Sequence, residues 1–182
     1  VIDTAMLDAK VRVCRQDAPI VFSGDGKNVS ASQGRAKWSM PCLDVSTFPI
    51  DVTKPVEADH FDVEPKGLLA AMAETHPGME HNSPTTFGGM FFHFFNGGIR
   101  LVGMYKAGMH VRQVRGDFPE YRNFILPSEA CRHVMSLFKD TVSAQIRATE
   151  NSFTMQSDRA WYRSKLVEGE FMPYRKIIEM DR

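Results

Sequence analysis

One short stretch of this chain occurs twice. Val114-Arg115-Gly116-Asp117-Phe118-Pro119-Glu120-Tyr121-Arg122 returns as Val167-Glu168-Gly169-Glu170-Phe171-Met172-Pro173-Tyr174-Arg175. In each copy a valine, a charged residue, a glycine, an acid and a phenylalanine precede a Tyr-Arg pair at the same spacing. A match over so many positions marks a repeated structural unit, and a repeat restricts the architectures open to a chain more than its composition does.

The blocks that lead into the two copies have the same order of elements. Before the second copy, Phe124-Ile125-Leu126 reads as a strand. Pro127-Ser128 opens a helix with Ser128 as its cap, an apolar stripe of Cys131, Val134 and Phe138, and a polar stripe of Arg132, Ser136 and Lys139. Strands are expected at 143–149, 152–157 and 160–166, separated by Glu150-Asn151 and Asp158-Arg159. Before the first copy, His60-Phe61-Asp62-Val63 is a strand, and Pro65 suits the first turn of a helix carrying Leu68, Leu69 and Met72. A His-, Pro- and Gly-rich loop over 75–84 leads to strands at 86–95, 99–105 and 109–114.

The N-terminal segment fits the same template without its opening strand. Leu7, Val11 and Cys14 give a helical stripe within 3–16. Asp25-Gly26 between two β-prone runs signals a hairpin, and Arg35 to Met40 alternates as a third strand. The expectation is therefore an α+β chain of strand–helix–three-strand units, with helices on one face of antiparallel sheets. Residues 1–49 are the second half of one domain, 50–58 (with Pro55) a linker, and 59–182 a complete domain of half-repeats 59–122 and 123–178.

Composition narrows the function classes. Lysine plus arginine equals aspartate plus glutamate, so no global field draws in nucleic acid and such a role must rest on local patches. No apolar run approaches the roughly 18–20 residues that span a bilayer. Three scattered cysteines (Cys14, Cys42, Cys131) suggest neither a disulfide framework nor a Cys-rich metal site, and a reducing cytoplasm is the simplest compartment. No cofactor is expected. The start at Val1, without Met, reads as a trimmed or processed segment.

A domain of two such halves, repeated along a chain, resembles the bacterial DNA sliding clamp, the β subunit of DNA polymerase III. Ser164-Lys165-Leu166-Val167-Glu168-Gly169-Glu170-Phe171-Met172-Pro173-Tyr174-Arg175-Lys176-Ile177-Ile178 is similar to the segment that closes the family's middle domain. Phe124-Ile125-Leu126-Pro127 and Gly34-Arg35-Ala36-Lys37-Trp38-Ser39-Met40 match other family stretches, in order and spacing. The resemblance implies the DNA-clamp fold, with a third domain expected beyond Arg182. It implies a non-catalytic processivity factor of the bacterial cytoplasm and nucleoid. The parent would be a ring homodimer that encircles double-stranded DNA without regard to sequence and binds polymerase and clamp-loader peptides. Arg12, Arg15, Lys66, Arg132 and Lys139 would face DNA. Phe87, Met104, Gly108, Met109, His110, Val111, Met172, Lys176 and Ile177 would line the peptide pocket. Asn82-Ser83-Pro84-Thr85-Thr86 stands where the family often has basic and aromatic DNA-contacting residues, a departure that puts that contact in doubt.

Other readings start from different residues. A small hydrolase could be built around His60, Asp62 and His110, although no nucleophile accompanies them. A short phage clamp-like protein that binds partners without encircling DNA is a third reading. His76 and His81 near Glu74 and Glu80 read as a solvent-exposed loop rather than a metal site.

Overall fold

The computed structural model describes residues 4–44, 59–81 and 83–180, which fall into two compact units. The linker expected over 50–58, the end of the first segment at 45–49 and Asn82 lie outside the described residues.

The first unit has one helix, α1 (Thr4–Val11), and an antiparallel sheet in the order β1 (Val21–Gly24), β2 (Asn28–Gln33), β3 (Ala36–Pro41). The helix stops at Val11 rather than running to residue 16. The Gln33 side chain accounts for this by capturing the chain beyond it. Its Oε1 accepts from the Arg15 amide at 2.7 Å, and its Nε2 donates to the Arg15 and Ala18 carbonyls at 2.8 and 2.7 Å. Among the described hydrophobic residues of this unit only Ala31 and Met40 are fully buried. Val11 and Phe22 are exposed, so the Leu7-Val11-Cys14 stripe does not close over a core.

The second unit contains two four-stranded antiparallel sheets and two principal helices. Its elements run β4 (His60–Val63), α2 (Pro65–Thr75), β5 (Gly89–Phe95), β6 (Gly98–Tyr105), β7 (Gly108–Arg115), β8 (Phe124–Pro127), α3 (Ser128–Leu137), β9 (Ala144–Ala148), β10 (Ser152–Gln156), β11 (Trp161–Lys165) and α4 (Tyr174–Met180). The sheet orders are β11-β10-β9-β4 and β7-β6-β5-β8. Each half-repeat thus gives its opening strand to the other half's sheet: Phe61 lies opposite Ile146, and Ile125 opposite Phe91. Exchange of this kind makes neither half complete alone.

Local chemistry explains the elements. Pro65 sits at the first helical position of α2, where its missing N–H costs nothing, and Leu68, Leu69, Met72 and Thr75 form the buried stripe. Pro77 follows the helix, and residues 76–78 tighten into a 3-10 turn. Another such turn, Thr86–Gly88, precedes β5, so that strand starts later than residue 86. Ser128 is the first residue of α3 and makes no side-chain cap, which corrects the capping role expected of it. Its hydroxyl is instead 2.6 Å from His81 Nδ1 and 3.2 Å from His76 Nε2, tying the loop after α2 to the start of α3.

Phe61, Phe92, Phe94, Phe124, Phe138, Phe153 and the buried faces of α2 and α3 belong to one core. Phe124 stacks on Phe92 with centroids 4.7 Å apart, and Phe94 and Phe153 lie 5.9 and 5.7 Å away. It therefore joins side chains from both sheets.

Candidate functional site

The repeated stretch closes the two halves in related ways. In the first copy, Phe118 and Tyr121 meet Phe61 edge-on at 6.2 and 5.0 Å. The Tyr121 hydroxyl accepts from the Ala148 amide and donates to the Asp59 carbonyl, both at 2.7 Å. In the second copy, Phe171 stacks on Phe91 at 4.7 Å, and Tyr174 bonds His93 Nδ1 at 2.6 Å. The two glycines serve different ends. Gly169 has φ 117°, a conformation that disfavours any side chain, whereas a Cβ on Gly116 would lie 2.9 Å from the Phe118 ring.

The second copy builds a cleft. The paired registers place Phe91, His93 and Phe95 of β5 on the same sheet face as Arg100, Val102 and Met104 of β6 and Met109, Val111 and Gln113 of β7. This is the face away from α2. Tyr174 is buried and Arg175 reaches His93 Nε2 at 3.2 Å, which docks α4 on the strand. Phe95, Arg100, Val111, Tyr174, Arg175, Ile178 and Glu179 enclose about 440 Å³. The Arg100 guanidinium lies over the Phe95 ring, 4.4 Å from its centroid.

The protonation state of His93 follows from its partners. A guanidinium can only donate, so Nε2 accepts from Arg175, and Nδ1–H donates to the Tyr174 oxygen. This is the neutral ring. Burial, then Arg175 and Arg100, hold its pKa below the ordinary 6.5. The folded state therefore binds fewer protons than the unfolded one. The contribution is complete above about pH 6.5 and is lost as pH falls from there through the folded pKa. The protection of the α4 amides, corrected for intrinsic exchange, is expected to fall below pH 6, and His93→Gln to flatten that dependence. An α4 exchange rate with the same pH profile in both proteins would overturn the assignment.

The expected pocket residues divide. Met104 and Met109 stand opposite one another and share a face with Val111, which lines the cleft. His110 points the other way: its Nδ1 is 3.2 Å from the Glu74 carbonyl, and its ring covers Gly78. Arg112 on that face pairs with the Glu74 carboxylate. Gly108 lies under the Tyr105 ring, and Phe87 is held in the 3-10 turn. Met172, Lys176 and Ile177 are exposed on or before α4, while Ile178 enters the cleft. The pairing of His93 with Tyr174 was not read from the sequence. Its signal was the run Phe91-Phe92-His93-Phe94-Phe95, apolar on both faces, which requires a cover on each.

The five cations also divide. Arg12 bonds Asp8 at 2.8 Å, Arg15 bonds Asp17 at 2.6 Å, and Lys139 is 4.0 Å from Asp140. Lys66 on α2 and Arg132 on α3 are exposed and, among the described residues, form no salt bridge. These two helices pack against each other.

His60 and Asp62 are exposed on β4, whereas His110 stands on β7 in the other sheet. Among the described residues no three His, Cys, Asp or Glu side chains gather to hold a metal. Burial pushes the Cys131 thiol far up. No helix of the described residues is long and apolar enough to cross a membrane.

No protein-family model matches the chain, and no curated protein matches it. Solved structures do. A Pseudomonas aeruginosa DnaN sliding clamp (DNA polymerase III subunit beta) bound to griselimycin aligns with TM-score 0.86 at 17% identity, covering 97% of this chain and 48% of that one. A Caulobacter crescentus beta sliding clamp gives 0.83 at 15% identity, over 97% and 49%. The Bartonella birtlesii DnaN sliding clamp, also bound to griselimycin, gives 0.78 at 21%, over 97% and 49%. The chain spans about half the length of these clamps, and its fold is that of the bacterial DNA sliding clamp.

Proposed function

We propose that the chain is part of a DNA sliding clamp, a non-catalytic processivity factor whose intact ring encircles double-stranded DNA. The reading is supported above all by agreement with clamp structures over 97% of the chain. Residues 1–49 act as the second half of one clamp domain and 59–182 as the next, complete domain. The ring is a homodimer, and it works in the bacterial cytoplasm at the nucleoid. The α4 cleft receives short apolar peptides of the replicative polymerase and the clamp loader, with Met104, Met109 and Val111 as its adaptable wall. Phe87, Gly108, Met172, Lys176 and Ile177 belong to its surroundings, whereas His110 stands on the opposite face of β7 and takes no part.

Lys66 and Arg132 meet DNA phosphates, and Arg12, Arg15 and Lys139 add contacts when they exchange their carboxylate partners. A few such contacts bind duplex only weakly and without sequence preference, which suits a protein that slides. The test is fluorescence anisotropy of a labelled duplex at several salt concentrations. Lys66→Glu with Arg132→Glu is expected to reduce the slope of log K against log salt by about 2. An unchanged slope would remove these helices as the DNA face. For the cleft, the probe is a labelled peptide from a polymerase C-terminus. Failure of the full-length parent to bind it would remove the peptide role.

A further inference from the structure

The outer face of the β11-β10-β9-β4 sheet carries an arrangement that the clamp reading does not use. Phe153 and Met155 point into the core from β10, so Thr154 between them points outward. In register it lies between Arg147 of β9 and Arg163 of β11, and Arg147 lies opposite His60 of β4. The row across the sheet is therefore His60, Arg147, Thr154, Arg163.

Two facts make this row unusual. Thr154 is only 2% exposed, yet its hydroxyl has no hydrogen-bond partner. Arg163 is half-buried and, among the described residues, has no salt bridge, while Arg147 donates only to the Gln145 side chain, at 3.1 Å. Guanidinium groups cannot accept, so the Thr154 proton finds no acceptor in the side chain directly opposite it on either neighbouring strand. A buried hydroxyl left unpaired is costly. What is missing is an acceptor. The nearest acid on this face is Asp62, one row away beside Gln145, and it is exposed. Lys165, paired with Ser152, adds a cation on the other side of the row.

We infer that Arg147, Thr154 and Arg163 form an oxyanion-binding site for a phosphate-class ligand, either a free phosphate or a phosphoryl group of a larger molecule. Directly opposed residues have Cβ atoms roughly 5 Å apart, so the two arginine stems stand roughly 10 Å apart with the threonine midway. Their planar forks can close over one tetrahedral anion from both sides, each donating two N–H groups. The Thr154 hydroxyl donates to the same anion from below. The site lies on the sheet face opposite the core, whereas Lys66 and Arg132 belong to the helices.

The experiment is an NMR titration of the full chain with inorganic phosphate, followed by the same titration with a short duplex. Saturable shifts are expected at the amides of Arg147, Thr154 and Arg163. Arg147→Gln and Arg163→Gln should each weaken phosphate binding about tenfold. Arg159→Gln, at an exposed arginine beside Asp158, should leave it unchanged. Thr154→Val separates binding from folding: phosphate affinity falls, but thermal stability does not, because an unpaired hydroxyl is removed. Duplex that competes for the same amides identifies nucleic-acid phosphate as the source, and duplex that does not compete identifies a small anion. Equal phosphate affinity in the wild type and both arginine variants, or shifts spread evenly over all surface cations, would overturn the site.

Discussion

Phe124→Ala is expected to destabilise the second unit by about 3–5 kcal/mol. Phe124 is 5% exposed and touches aromatic rings from β5 and β10, one in each sheet. Truncation removes its transfer free energy and leaves a cavity that neither sheet can fill by moving alone. Phe92 is held by the β6 register on one side and the β8 register on the other. Urea unfolding followed by circular dichroism should show a midpoint lower by about 2 M, given a slope of about 2 kcal/mol per molar for a domain of this size. A shift below about 0.5 M would mean that the two sheets do not share one core. The effect should exceed that of truncating Phe171, which stacks on the outer face at a half-buried position.

If the α4 cleft is the peptide site proposed above, Val111→Arg is expected to weaken peptide binding by about 100-fold or more, close to 3 kcal/mol. Val111 lines the cleft between β7 and α4, beside Arg100 and Arg175. A third guanidinium there fills the space that an apolar anchor needs and adds like-charge repulsion beside Arg100 and Arg175. Anisotropy of a labelled polymerase peptide on the intact clamp proposed above measures the effect, and an unchanged circular dichroism spectrum separates it from unfolding. His110→Ala serves as the contrast. Because His110 faces α2, its loss should change peptide affinity by less than about threefold. Comparable losses in both variants would mean that the peptide does not use the cleft.

Much of the fold is legible in residue order. The Pro65 helix start, the 3.6-residue spacing of Cys131, Val134 and Phe138, and the Asp25-Gly26 turn each act over a few residues. Local chemistry decides such features, so periodicity and turn signals recover them. The places where reading fails involve distant partners. Gln33 captures the chain just past α1, at Arg15, from 18 residues away. Ser128 leaves its capping role for two histidines about 50 residues upstream. The short helix α4 is about two turns and would be marginal alone; Tyr174 and Arg175 hold it through His93, more than 80 residues earlier.

The doubled stretch at 114–122 and 167–175 shows the same division. Its residue types alone establish that the chain is built from repeated units and that each unit ends on an aromatic closure. Only the tertiary structure decides what each closure does. Tyr121 is spent on the backbone of β9 and the residue before β4, so it closes the end of the β4–β9 ladder. Tyr174 bonds a histidine on the outer face of β5, so it fixes the wall of a cleft. The exchange of β4 and β8 between the halves is likewise invisible in the pattern, because an opening strand with one apolar face fits either sheet. Burial of Phe61 and Phe124 in the shared core selects the exchanged pairing, and that selection needs every other strand to be in place.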